Sequence, residues 1–241
     1  MKVALIGYGK MGKAIEMILN ERGHTVVKVI DVDNQEDFQS EAFRDADVAI
    51  EFSVPSAAYD NYMKCFAAGI PVVAGTTGWL DRMEDIKTIC KTEDKTFFYA
   101  PNYSLGVNIF FAVNAFLAKL MNRFPEYDVS VSEVHHIHKL DAPSGTAIAI
   151  AEDILKQLDR KRHWTAGSSH QPDDLPVESI REGEIAGIHD VVYESDADSI
   201  LIRHSSKSRV GLALGAVLAA EFTVGKKGFL GMKEMLGIVT E

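Results

Sequence analysis

The chain has 241 residues, 46% of them hydrophobic and 25% charged, with a formal net charge of −10. That length and apolar content supply a full core and exclude a disordered chain. The acidic balance excludes a basic field that would hold nucleic acid or anionic lipid non-specifically, and the only two cysteines, Cys65 and Cys90, exclude a disulfide framework and read as buried thiols.

The first hundred residues alternate strand and helix. Val3 to Ile6 is a short apolar strand that the chain enters directly, with no signal-peptide pattern ahead of it. A helix follows, with Met11, Ala14, Ile15, Ile18 and Leu19 on one face and Gly23 near its stop. Strands are predicted at Thr25 to Ile30, Val48 to Phe52, Pro71 to Ala74 and Thr96 to Ala100. Helices fall between them, one opened by Pro55 and closed by Gly69, another around Leu80 to Cys90. This alternation predicts an α/β fold with a Rossmann-type, doubly wound parallel sheet.

After about Tyr103 the rhythm changes. A long amphipathic helix, Asn108 to Met121, leads to a strand at Asp128 to His138 and a helix at Ser144 to Leu158. Arg160 to Pro176 reads as a polar loop, and strands are expected at Val177 to Glu182, Ile188 to Glu194 and Ser199 to His204. That pattern predicts a second, α+β domain on an open mixed or antiparallel sheet. The segment from Gly215 to Glu241 reads as helix and turn able to pack back on the first domain. The longest apolar run, Val210 to Ala220, falls well short of the roughly 20 residues a membrane span needs. A cytoplasmic protein is expected.

Gly7-Tyr8-Gly9-Lys10-Met11-Gly12 fits G-x-G-x-x-G between a strand and a helix. Gly7 permits the tight turn, Gly9 lets the backbone approach a pyrophosphate, and Gly12 lets helix and strand sit close. The phosphates would meet the free N–H groups at the helix start. Asp31 ends the second strand, where a carboxylate accepts hydrogen bonds from the adenine ribose; Asp33 is the alternative. Further loops leave the carboxyl ends of predicted strands, where open α/β sheets bind ligands: Ser53 after one, Gly75-Thr76-Thr77-Gly78 after the next, and Ala100-Pro101-Asn102-Tyr103 after the last. Together they outline a cofactor cleft.

The most informative stretch is Glu133-Val134-His135-His136-Ile137-His138-Lys139-Leu140-Asp141-Ala142-Pro143-Ser144-Gly145-Thr146. In an extended strand His135 and His136 point to opposite faces and should have different tasks. Lys139 lies just beyond, and Ser144, Gly145 and Thr146 offer hydroxyls and N–H groups at a helix start, a cradle for carboxylate. A metal site is disfavoured, because alternation separates the two adjacent imidazoles and no HExxH accompanies them. An acid–base and anion-binding site accounts for all these residues together.

That run resembles the signature E-x-H-H-x-x-K-x-D-x-P-S-G-T of dihydrodipicolinate reductases. Gly7 to Gly12, Gly75 to Gly78 and Ala100 to Ser104 resemble the family's cofactor loops, and Arg181 to His189, Ser208-Arg209, Gly215-Ala216 and Gly228 to Leu236 resemble its later segments. The resemblance implies a dinucleotide-binding domain over 1–104, a substrate-binding and oligomerisation domain over 105–214, and a returning segment over 215–241. It implies His135 and Lys139 as proton-transfer residues, with His136, Ser144, Gly145, Thr146 and Arg209 holding a dicarboxylate substrate. It further implies NADH or NADPH as cofactor and a homotetramer acting in lysine and diaminopimelate synthesis. The run Asp31-Val32-Asp33-Asn34-Gln35-Glu36-Asp37 carries four carboxylates and no cation, which favours NADH modestly over NADPH.

Rival readings fit less of the sequence. A semialdehyde dehydrogenase needs a nucleophilic cysteine on a strand-end loop, where neither Cys65 nor Cys90 lies. A sugar dehydrogenase would not need His135, His136 and Lys139 beside a Ser-Gly-Thr cradle. A non-catalytic redox sensor lacks any basic or added interaction element.

Overall fold

The computed structural model describes residues 1–167, 171–208 and 210–238. The chain divides into two compact units, one made of Met1–Leu105 with Val210–Glu241, the other of Gly106–Arg209.

The first unit holds strands β1 (Lys2–Ile6), β2 (Thr25–Ile30), β3 (Val48–Glu51), β4 (Val72–Ala74), β5 (Thr96–Tyr99) and β11 (Gly228–Leu230). They form one sheet in the order β11-β5-β4-β3-β1-β2, and every pairing is parallel. The order reverses at β1 and β3, which places the switch point at the carboxyl ends of those two strands. Side-chain alternation divides the sheet between two cores. Val3 and Leu5 face α1 (Lys10–Glu21) and α7 (Val210–Thr223), packing on Ile15, Leu19, Ala216 and Ala220. Ala4 and Ile6 face the other side with α3 (Pro55–Ala67) and α4 (Met83–Thr92), against Tyr62, Phe66, Ile86 and Phe97. The short α2 (Glu41–Arg44) and α8 (Met232–Leu236) complete the unit.

Two features of this unit differ from expectation. The returning segment contributes a sheet strand, β11, as well as helix, and Phe229 stacks on Phe97 with ring centroids 5.8 Å apart. Its helix α7 begins at Val210, ahead of Gly215. Gly215 is where that helix meets the loop after β5: a Cβ there would overlap the Tyr103 carbonyl.

The second unit holds α5 (Leu105–Met121), β6 (Asp128–His135), α6 (Gly145–Leu155), β7 (His163–Ala166), β8 (Asp174–Arg181), β9 (Ile188–Glu194) and β10 (Ser199–Ser205). The sheet order is β10-β9-β6-β8-β7, with β6–β8 and β7–β8 parallel and β9–β6 and β10–β9 antiparallel, so it is an open mixed sheet. Val129, Val131, Val177 and Val191 pack against Phe110 and Ala118 of α5 and Ala147, Ile150 and Ile154 of α6.

The stretch read as loop from Arg160 to Pro176 instead contains β7 and the start of β8. Pro176 is admitted there because it pairs only with Thr165 of β7; the ladder to β6 begins one residue later, at Val177. β6 ends at His135 rather than His138, because the Lys139 N–H turns back to the His136 carbonyl at 3.1 Å. Among the described residues no helix is long and apolar enough to cross a membrane.

Candidate active site

In the first unit the glycine loop has the close geometry its sequence demands. Gly7 sits at φ 86°, donates its N–H to the Ile30 carbonyl at 2.8 Å, and has no room for a Cβ beside the Phe52 carbonyl. A Cβ at Gly12 would overlap the Gly7 carbonyl oxygen, whereas one at Gly9 would meet nothing within 4 Å. The open side of Gly9 borders a cleft of about 450 Å³ lined by Gly9, Lys10, Met11, Ser53, Thr76 and Thr77, among others. A backbone cradle at a helix start beside an open cleft fits a dinucleotide pyrophosphate.

Asp31 lies at the rim, exposed, where its carboxylate accepts the Tyr8 N–H at 3.2 Å and the Val32 N–H at 2.9 Å. The Tyr8 hydroxyl donates to Glu16 on α1. Ser53 and Thr76 are joined by a 2.8 Å bond from the Ser53 N–H to the Thr76 hydroxyl. Beneath them lies Glu51, fully buried and bonded by the Ser53 hydroxyl; burial pushes its carboxyl up. The sequence marks Glu51 only as part of the strand end Glu51-Phe52-Ser53 that borders the cleft, with no role of its own. On the loop after β5, Ala100 is buried and Pro101 exposed, and the Asn102 side chain accepts the Ser104 N–H at 2.9 Å. The Tyr103 phenol is directed inward, donating to the Ala74 carbonyl at 2.6 Å, so it braces this loop against β4.

The glycine positions give a paired expectation. Gly12→Ala forces α1 away from the loop and should cost about 1–3 kcal/mol of stability along with cofactor affinity. Gly9→Ala should leave stability unchanged and reduce affinity alone, since its Cβ points into open cleft. Thermal unfolding with and without NADH separates the two.

In the second unit strand register builds the site. On β6 the row Val131, Glu133, His135 shares one face, and the face is the one that α6 covers. β9 pairs antiparallel with β6 so that His189 stands opposite Glu133; β8 pairs parallel so that Arg181 stands opposite His135. The apolar core row therefore continues into a polar cluster at the carboxyl end of β6. Glu133 is fully buried. One of its oxygens accepts the Arg181 guanidinium at 3.0 Å and the Ser144 N–H at 3.2 Å, while the other is bonded by His135 Nδ1. Burial alone would raise the Glu133 carboxyl, but the Ser179 hydroxyl, Arg181 and His135 outweigh it and hold it below the usual carboxylate range.

Burial lowers His135, opposed by the carboxylate of Glu133 and assisted by the charges of Lys139 and Arg181. His189 is pushed down to about 4, chiefly by burial, so it is a neutral imidazole at pH 7. Its Nε2 lies 3.2 Å from the Ser144 hydroxyl. The liganding atoms of Glu133, His135 and His189 lie within 4.8 Å of one another, a spacing that a metal centre could use and that adjacency of His135 and His136 could not reveal. The Arg181 guanidinium already neutralises Glu133, and a dication would have to displace it.

His136 follows the last residue of β6, its ring 6.0 Å from that of His138. Lys139 stands on the turn after β6, its Nζ 2.8 and 2.9 Å from the two Asp141 oxygens, and this pairing lowers the Asp141 carboxyl. Ser144 caps α6, accepting the Ala147 N–H at 3.2 Å, and Gly145 and Thr146 follow as the first helical residues. Arg209 lies outside the described residues. The register thus gathers His135 and Ser144 with Glu133, Arg181 and His189, three residues to which sequence reasoning gave no role. The i, i+2 spacing of Glu133 and His135 was a usable signal; nothing local marks Arg181 or His189.

A Rossmann unit with an open glycine-loop cleft, followed by a unit carrying a buried, hydrogen-bonded cluster of Glu133, His135, Arg181 and His189 beside a helix start, is the arrangement expected of a dinucleotide-dependent oxidoreductase. Family models for the N-terminus and C-terminus of dihydrodipicolinate reductase match residues 1–103 and 106–236. The chain belongs to the dihydrodipicolinate reductase family. It is 48% identical over 236 residues, 98% of each chain, to the 4-hydroxy-tetrahydrodipicolinate reductase of Christiangramia forsetii. The enzyme of the same name from Archaeoglobus fulgidus is 37% identical over 201 residues, 80% of this chain and 76% of that one. The fold is similar to that of a dipicolinate-bound dihydrodipicolinate reductase from Paenisporosarcina sp. TG-14, with a TM-score of 0.77 over 99% of both chains at 21% identity.

Proposed function

We propose that this chain reduces 4-hydroxy-tetrahydrodipicolinate, a cyclic imine dicarboxylate, to tetrahydrodipicolinate with NAD(P)H. The observation that carries the reading is the grouping of His135, Ser144 and the start of α6 at the carboxyl end of β6, with Lys139 on the turn that follows.

Gly7, Tyr8, Gly9, Lys10, Met11 and Gly12 would hold the pyrophosphate and Asp31 the adenine ribose. Ser53, Gly75, Thr76, Thr77 and the loop Ala100-Pro101-Asn102-Tyr103 would border the nicotinamide half. When bound, the reduced nicotinamide supplies the hydride. The N–H groups of Gly145 and Thr146, the hydroxyls of Ser144 and Thr146, His136 and Arg209 fix the two carboxylates and so orient the ring. A dianion beside His135 raises its affinity for a proton, which readies its Nε2 to donate to the ring nitrogen. Lys139 is the second donor; it exchanges Asp141 for the substrate. Gly187, at φ 154°, lies beside Nε2 of His135, where an added Cβ would come within 2.9 Å of that nitrogen and crowd it. The same reading carries a cytoplasmic homotetramer, which light scattering of the purified chain tests.

The test of function is oxidation of NADH and NADPH coupled to substrate made in situ from pyruvate and aspartate semialdehyde by the upstream synthase. No turnover with either cofactor would sink the reading. The same assay addresses cofactor choice. Lys28 is bound to Asp37 at 2.8 Å and Lys64 to Gln35 at 2.9 Å, so two cations near the ribose edge are engaged. Lys10 remains at the start of α1, exposed, to compensate a 2′-phosphate. A modest preference for NADH follows, up to about tenfold in kcat/KM, equivalent to ~1.4 kcal/mol. Asp31→Ala should narrow it by weakening NADH and relieving repulsion of NADPH. A clear wild-type preference for NADPH overturns the argument.

A further inference from the structure

Glu133 has a chemical position that no ordinary strand carboxylate has. It is fully buried, yet accepts from three donors on three different elements: His135 two residues along β6, Arg181 from β8, and the Ser144 backbone at the start of α6. A buried carboxylate that accepts from Nδ1 settles the tautomer of the ring, because Nδ1 must then carry the proton and Nε2 is left to exchange. The opposite oxygen is saturated by a guanidinium and an amide N–H, so the carboxyl group cannot rotate without abandoning both.

We propose that Glu133 is a positioning residue for proton transfer, holding His135 in the Nδ1–H tautomer with Nε2 presented while tying that ring to the carboxylate cradle at the start of α6. This rests on the reading of His135 as the proton carrier. The charged and titratable groups around His135 are Glu133 on its own strand, Arg181 on β8, His189 on β9 with its ring 5.2 Å away and Lys139 on the following turn. His204 on β10 stands behind His189 at 6.3 Å. Of these, Glu133 alone is an anion in direct contact with the ring, so its removal moves the histidine in one direction. The imidazolium is destabilised.

Glu133→Gln tests this with almost no change of volume. Arg181 and Ser144 both donate to one oxygen, so the glutamine oxygen is required there and its NH2 group faces His135. The ring must then accept at Nδ1 and carry its proton on Nε2. Nitrogen-15 NMR of the full chain should show His135 as the Nδ1–H tautomer in the wild type and the Nε2–H tautomer in the variant, with its titration midpoint lower by about one pH unit. In the coupled assay, kcat at neutral pH should fall roughly 10–100-fold, the size typical when the carboxylate orienting a working histidine is lost. The alkaline limb of kcat should move to lower pH, while KM and the NADH dissociation constant stay within about twofold.

An unchanged tautomer and midpoint in the variant, or a raised KM at unchanged kcat, overturns the proposal. Should the variant not fold, the wild-type spectrum decides alone, and an Nε2–H ring there overturns it. Failure of the functional reading looks different: His135→Ala would then turn over like the wild type while the tautomer still switched in Glu133→Gln.

Discussion

His135→Ala and Lys139→Ala should each lower kcat by roughly 10²–10⁴-fold, about 2.7–5.5 kcal/mol of transition-state stabilisation, and leave the NADH dissociation constant nearly unchanged. Both side chains belong to the second unit, at the carboxyl end of β6 and on its turn, whereas the glycine loop belongs to the first. The two variants should differ in their pH dependence. Lys139 lowers His135 by charge, so its removal relieves that repulsion and should shift the alkaline limb of the residual activity upward. His135→Ala removes the titrating ring itself and should flatten that limb. Lys139 is also the partner of Asp141, which is exposed, so the loss of this ion pair costs little stability. Steady-state kinetics from pH 6 to 9 with both variants decides the matter, and wild-type turnover in either one removes that residue from the mechanism.

Much of the fold was legible because its signals are local. Thr25–Ile30 and Ile188–Glu194 are strands over the bounds that their β-branched runs predict. Gly7 and Gly12 could be read to the individual residue, because each answers a close approach that a Cβ would violate, whereas Gly9 faces open cleft. The signals fail where an element is short and defined by its neighbour. β7 and β11 have four and three residues, too few for any period, and exist because β8 and β5 offer a free edge. α5 begins at Leu105, ahead of the amphipathic run from Asn108, because the Asn102–Ser104 turn leads the chain into it.

The candidate site divides in the same way. His135, Lys139 and Ser144 lie on one contiguous stretch whose residue types have few other uses. Arg181 and His189 reach it only through the register of three strands, and register across a mixed sheet follows from the whole hydrophobic pattern rather than from spacing. Tyr103 shows the converse limit. A tyrosine on a strand-end loop offers a phenol by composition, and only packing reveals that the phenol points at the Ala74 carbonyl.

His189 should make the second unit lose stability as pH falls from about 6.5 to about 4. Burial pushes the ring down to about 4 in the folded chain, from an ordinary value of 6.5. Between those values the unfolded chain binds a proton that the folded chain refuses, so stability rises with pH across the window and is lost on acidification. A shift of that size corresponds to roughly 3 kcal/mol, a large share of what a domain has in reserve. Structurally, protonation would place a charge between His135 and His204, behind a Ser144 hydroxyl that can satisfy only one edge of the ring. Its Nδ1 is buried with no hydrogen-bond partner among the described residues, so no acceptor awaits the added proton. His135 and His204 are lowered by burial as well and act with the same sign, which is why a single stability curve cannot isolate His189. The difference between wild type and His189→Gln can, since the other two rings are common to both proteins. Urea unfolding from pH 4 to 8 should show the wild type losing roughly 3 kcal/mol more than the variant on acidification. Parallel curves across that range would mean that His189 titrates alike in the folded and unfolded chain, against its burial.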